Sequence, residues 1–267
     1  MMDFNIGDII HGLLREQAAQ QPEQTVDKLL YGDAAATVTG IVTAFSASQP
    51  VIERALQLGC NLVISHEGVF YSHHDTRYGA VDDPIYAQKL ALIQQSGIGI
   101  FRCHDYIHRM RPDGITAGLL QALNWQTHVE TELPEAAILK LPGKTVREVA
   151  DHVKRTLQLP YVRVAGDLSS VCRRIGVLVG YRGGGATAIP LFHNERLDLI
   201  IAGEGPEWET PEYVQDAVSM GHHRALIMLG HAESEMTGML RLANLLSARY
   251  PELPVHFIAN RPVFQTL

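Results

Sequence analysis

The chain has 267 residues, of which 46% are hydrophobic and 19% charged, a globular composition that excludes a disordered chain. Its 22 Lys+Arg stand against 29 Asp+Glu, and a formal net charge of −7 argues against general nucleic-acid binding, which needs a cationic face. No apolar run reaches the roughly 18 residues of a membrane span, and the length admits one large domain or two of ordinary size.

Short apolar runs bounded by turn residues predict buried strands at 38–43, 61–65, 98–102, 175–179, 198–202, 225–229 and 255–258. Helix-period segments lie between them. Ser48 is placed to cap a helix with Pro50 in its first turn and Gly59 as its stop. Thr145 and Glu148 form a T-x-x-E capping box ahead of 149–157, and Thr210, Pro211 and Gly221 bracket another helix. Strands alternating with helices predict an α/β protein with mixed sheets covered by helices.

The chain also repeats itself. Asn61-Leu-Val-Ile-Ser-His-Glu-Gly68 is echoed by Asp198-Leu-Ile-Ile-Ala-Gly-Glu-Gly205. Each copy is followed by an apolar strand that delivers a polar quintet, His104-Asp-Tyr-Ile-His108 in one case and His231-Ala-Glu-Ser-Glu235 in the other. Two similar α/β halves, 1–130 and 131–267, are expected from this, related by an ancient duplication about a pseudo-twofold axis. The C-terminal segment is free to pack back on the first half. Ligands of open α/β sheets sit at the carboxyl ends of strands, where these polar residues fall.

Five of them are candidate metal ligands: His66, Glu67, His108, His231 and Glu235. Imidazole with carboxylate suits divalent Zn, Mn, Fe, Co or Ni. Cys60, Cys103 and Cys172 are odd in number and form no C-x-x-C, so neither a thiolate site nor a disulfide frame is expected. Successive strand residues point to opposite faces, so His66 and Glu67 serve one site only if the chain turns there. A helix starting near Ser234 would put His231 at a strand end and Glu235 in the first helical turn. His73, His74 and Asp75 read as a polar loop, because no matching group in the other half completes a site. The run Gly180-Tyr-Arg-Gly-Gly-Gly185 lacks a phosphate-loop pattern and is expected to pack closely beside a cavity. No G-x-S-x-G elbow is present.

The segment Thr39-Gly-Ile-Val with Val51-Ile-Glu-Arg-Ala-Leu-Gln-Leu-Gly-Cys-Asn-Leu-Val-Ile-Ser-His-Glu-Gly68 resembles the first half of the NIF3-like (DUF34) family. Ile175-Gly-Val-Leu-Val-Gly180, Asp198-Leu-Ile-Ile-Ala-Gly-Glu204 and Gly230-His-Ala-Glu-Ser-Glu235 resemble its second half. The resemblance spans roughly 36–258. It implies two divalent transition-metal ions per chain and a toroidal homohexamer with sites facing an internal cavity. Some members bear the name GTP cyclohydrolase 1 type 2. The family pattern has two adjacent histidines, then His-x-x-x-Asp, then His-x-x-x-Glu. Here Glu67 replaces the second histidine and His108 replaces the aspartate, while His66, His104, His231 and Glu235 match. The two exchanges preserve three imidazoles and two carboxylates, so the expected site is retained but rearranged.

By this resemblance the chain is a metal-dependent hydrolase acting on a small molecule, a nucleotide or related heterocycle. His104 and Glu204 are then the expected catalytic groups, lining the cavity and moving protons beside the ligands, and Glu207 is a further lining residue. A non-catalytic ring, acting as metal carrier or regulatory partner, is the alternative. No basic n-region precedes an apolar stretch in the first residues, so a cytoplasmic protein without a membrane partner is expected.

Overall fold

The computed structural model describes residues 4–15, 24–74, 76–78, 80 and 82–265. One compact unit runs up to Gly114 and takes in Met239–Arg261, and the other runs from Ile115 to Gly238 with the residues after Arg261. The division thus falls at Gly114/Ile115 rather than at 130/131.

The first unit contains α1 (Ile6–Arg15), β1 (Lys28–Tyr31), β2 (Ile41–Ser46), α2 (Gln49–Gln57), β3 (Leu62–Glu67), α3 (Pro84–Ser96), β4 (Gly99–Arg102) and α4 (Asp105–Arg109), and it regains β11 (Val255–Phe257). Its sheet has the order β1-β4-β3-β2-β11, parallel throughout except for β1 at one edge. β2, β3 and β4 are almost wholly buried, as expected of parallel strands covered on both faces. The crossover helices end where the local chemistry requires. Asp83 accepts the amides of Ile85 and Tyr86 at the start of α3, and Gly97 closes it in the left-handed conformation. Val42, Ala44, Val51, Ile52, Val63, Ile93 and Ile100 form the core between helices and sheet.

The second unit contains α5 (Gly114–Ala122), β5 (Val129–Glu132), β6 (Ala137–Thr145), α6 (Val146–Thr156), β7 (Arg163–Ala165), β8 (Val171–Leu178), α7 (Gly185–Asn194), β9 (Leu199–Ala202), α8 (Thr210–Ser219), β10 (Ala225–Met228) and the start of α9 (His231–Arg249). Its sheet runs β5-β6-β8-β9-β10-β7. Both bonds of the Thr145/Glu148 capping box are made. α8 begins at Thr210 itself with Glu209 as its cap, one residue earlier than the bracket suggests. The Thr210 hydroxyl is committed to the Gly183 carbonyl at 2.7 Å.

The repeat read from the sequence is a repeat of topology. β2, β3 and β4 are parallel neighbours joined by α2 and α3, and β8, β9 and β10 are parallel neighbours joined by α7 and α8. The strand preceding each trio, β1 or β7, lies antiparallel against its last member. A helix follows that last strand in both units, α4 and α9, and the polar quintets sit at those junctions. Among the described residues no helix is long and apolar enough to cross a membrane.

Candidate metal centre

In the first unit the site grows from strand register. Ser65 pairs with Arg102 across β3 and β4, so the two side chains share a face, and Glu67, two residues further on, shares it too. His66 points the other way and is fully buried. β3 runs through Glu67 without a turn, yet potential donor atoms of His66 and Glu67 still lie within 4.8 Å of each other. His104 links the two sides. It caps α4, with its ring stacked on His66 at 4.5 Å between centroids, and its Nε2 lies 3.5 Å from Glu67 Oε1. Asp27 holds the start of α4 by accepting the amides of His104, Asp105 and Tyr106 at 2.7–2.9 Å. His108, one turn along α4, stands edge-on to His66 and His104 at 5.0 and 5.1 Å.

Potential donor atoms of His66, His104 and His108 lie within 4.8 Å of one another, a spacing that could hold a metal ion. Glu67, His73 and His104 form a second such group. His104, expected as a proton-moving neighbour, therefore belongs to both.

Each of the three clustered rings is held by Nδ1. His66 donates to the Cys103 carbonyl at 3.3 Å, His104 to Asp105 at 3.0 Å and His108 to Asp113 at 3.0 Å. These partners are acceptors only, so each Nδ1 carries a proton and in the neutral ring the lone pair is on Nε2. Imidazoles oriented by carboxylates or carbonyls are how metal-binding histidines are ordinarily positioned. The His104 ring, with Thr25 and Val26, holds the Asp105 carboxyl well below the usual carboxylate range despite burial, so that anchor stays ionised.

The Glu67 side of the cluster contains a fully buried arginine. Arg102 Nη2 donates to Glu67 Oε2 at 2.8 Å and to His73 Nδ1 at 3.0 Å, and Nη1 donates to the His73 carbonyl at 2.6 Å. Burial, and after it the neighbouring His104, lowers the His73 pKa, favouring the neutral ring that accepts this bond.

In the second unit α9 starts at His231, three residues earlier than expected. His231 and Glu235 are therefore one helical turn apart on the same helix, with Nε2 3.2 Å from Glu235 Oε2. Glu204 accepts from His231 Nδ1 at 2.9 Å and so anchors this ring as Asp105 and Asp113 anchor His104 and His108. Burial opposes a charge on His231, but the Glu204 and Glu235 carboxylates outweigh it and push the pKa up to about 10. Gly180, at φ +62°, lies directly against the Glu235 carboxylate, and its amide donates to Ser234 Oγ at 2.9 Å. The glycine-rich segment is thus a close-packed wall. The α7 N-terminus that a phosphate would need is filled by Glu209, which accepts the Gly185 amide at 2.6 Å.

Thus one unit gathers His66, Glu67, His104 and His108, and the other gathers Glu204, His231 and Glu235. Glu207 is at the surface, paired with Arg163. His73, read as part of a polar loop, is a member of the Glu67 group. His74 belongs to neither group, and Asp75 lies outside the described residues. Arg102, Asp105 and Asp113 have no sequence signal beyond proximity to a histidine, since their roles depend on register and helix phase.

The family model for Duf34/NIF3 (NGG1p interacting factor 3) matches residues 6–262. The chain is 23% identical to a GTP cyclohydrolase 1 type 2 homolog of Clostridium perfringens over 87% of each chain. It is 22% identical to a protein of the same name from Clostridium acetobutylicum, over 85% of this chain and 84% of that one. Among solved structures it is similar to a Bacillus cereus protein related to NIF3, with TM-score 0.79, 15% identity and full coverage of both chains. A Staphylococcus aureus hypothetical protein has TM-score 0.77 and 17% identity, again over both whole chains. The matched span, the duplicated α/β topology and the histidines at the repeated strand ends agree: the chain belongs to the Duf34/NIF3 family.

Proposed function

We propose that the chain is a metal-dependent hydrolase that holds two divalent transition-metal ions, one through His66, His104 and His108 and one through His231 and Glu235. The observation that carries this reading is the common anchoring of four imidazoles. Each is fixed through Nδ1 by a carboxylate or carbonyl, which orients Nε2 of His66, His104 and His108 toward their shared group and Nε2 of His231 toward Glu235. The donor set suits a borderline ion such as Zn²⁺ or Co²⁺, and all three cysteines are free, buried and outside it. Bound divalent ions supply an acidified water and charge stabilisation at the bond being cleaved. The chain's own groups do the rest. Asp105, Asp113 and Glu204 orient the rings, and Glu204, with its side chain 43% exposed, is placed to exchange a proton with solvent.

The substrate class we propose is a nucleotide or related heterocycle, following the name borne by the Clostridium relatives. A cytoplasmic homohexameric ring completes the proposal, with access restricted to small molecules. The test is a metal-dependent activity screen over nucleotides and other heterocycles, beside Glu235→Ala and with sedimentation in parallel. Turnover that requires metal and is lost in Glu235→Ala supports the hydrolase. A protein that loads and releases metal without turning over any substrate class is a carrier instead. A mass of one or two chains removes the ring.

A further inference from the structure

We propose that the Arg102 guanidinium is a resident cation that takes the place of a metal ion at the Glu67/His73 group, so that Glu67 is its counter-ion and not a metal ligand. This rests on the metal-binding reading above and narrows it. The Glu67, His73 and His104 donors are spaced as a metal group would be. Yet one nitrogen, Arg102 Nη2, already bonds Glu67 Oε2 at 2.8 Å and His73 Nδ1 at 3.0 Å. Those two acceptors are 3.7 Å apart and converge on it. The other terminal nitrogen is tied to the His73 carbonyl.

The charge balance favours the same conclusion. Arg102 is fully buried and its guanidinium stays protonated, so it requires a carboxylate beside it. Glu67 supplies that charge, and the pair is neutral. A divalent ion added at Glu67 Oε2 and His73 Nδ1 would meet the fixed positive charge of the guanidinium that already occupies both acceptors. The imidazoles of His66, His104 and His108 are anchored from behind by the Cys103 carbonyl, Asp105 and Asp113, so two carboxylates and no arginine stand behind these rings. The exchange of histidine for Glu67 therefore accompanies a buried arginine rather than a second ligand charge.

The experiment counts Co²⁺ bound per chain by equilibrium dialysis with elemental analysis, and follows the Co²⁺ absorption bands. Glu67→Gln keeps an acceptor oxygen for Arg102, so the number of bound ions and the bands are expected to match those of the unaltered chain. Arg102→Gln frees Glu67 and His73 and is expected to gain one ion per chain with a new band, whereas Arg102→Lys keeps a cation in place and gains none. Loss of an ion in Glu67→Gln overturns the proposal and leaves the metal reading standing. That variant decides the matter even where Arg102→Gln does not fold. Absence of Co²⁺ from the unaltered chain overturns both.

Discussion

His108 donates through Nδ1 to Asp113, five residues along the chain and 3.0 Å away, and so presents Nε2 toward the group it shares with His66 and His104. The aspartate acts on the ring in two ways. It fixes the tautomer, and its negative charge makes the opposite nitrogen a better donor. Asp113→Ala is expected to weaken Zn²⁺ or Co²⁺ binding by about 10–100-fold, the usual effect of losing such a partner. Asp113→Asn keeps an acceptor oxygen without the charge and should fall between. Competition against a chromophoric chelator measures both. Unchanged affinity in Asp113→Ala would show that the aspartate does not act through His108.

Glu67 and Arg102 provide a stability test independent of metal. Removing one partner of a buried ion pair leaves an uncompensated charge, at a typical cost of about 3–5 kcal/mol. Glu67→Ala is expected to destabilise the metal-free protein by that order, because Arg102 has no exposure through which to recover solvation. Glu67→Gln should cost much less. Urea denaturation in the presence of a chelator compares them, and equal midpoints would mean that the pair contributes nothing to folding.

These two relationships also mark the limit of what the sequence shows. The strands are legible because their runs are apolar on both faces. The repeat is legible because its two copies keep the same order of strand, helix and terminal polar residue. His66, His108, His231 and Glu235 stand out for that reason. The anchors do not. Asp113 reaches His108 only because the chain folds back after the short helix Asp105–Arg109. Arg102 reaches Glu67 only through the pairing of Ser65 with Arg102, and one step of register would turn the guanidinium to the opposite face. His73 follows the strand in a turn, where no periodicity predicts direction. The start of α9 is misjudged by three residues because Gly230, at φ +112°, permits a sharp entry directly from the strand.

Gly180 has a measurable role behind Glu235. At φ +62° an L side chain is strained by about 1–2 kcal/mol, and a Cβ there would collide with the Glu235 carboxylate. Gly221, at φ +83°, has nothing within 4 Å of the same added atom. Gly221→Ala therefore measures the backbone strain alone. Gly180→Ala should lose more stability than Gly221→Ala and should also bind metal more weakly, since Glu235 must move. Thermal denaturation and chelator competition on both variants check this. Equal losses in the pair would show that the approach to Glu235 is not tight.

Lys89 predicts a pH dependence that no metal ligand enters. It is 4% exposed on α3, its Nζ donates to the Val69 carbonyl at 2.5 Å, and it faces the Phe70 and Tyr71 rings at 5.3 and 5.5 Å. Burial lowers its pKa from 10.5 to about 8. Between those two values the unfolded chain holds the proton and the folded chain does not, so the unfolded state binds more protons and stability rises with pH. Below about pH 8 both states are protonated and the cost of the buried ammonium is present in full. A displacement of that size corresponds to about 3 kcal/mol. Lys89→Met, similar in length and uncharged, is expected to be more stable than the unaltered chain at pH 7, with the gap narrowing as pH rises from 8 to 10.5. Subtracting one denaturation series from the other removes the other groups that titrate in this range. A gap that stays constant from pH 7 to 10.5 would mean that Lys89 keeps its ordinary proton affinity in the folded chain and that its carbonyl and aromatic neighbours fully replace the water it gave up.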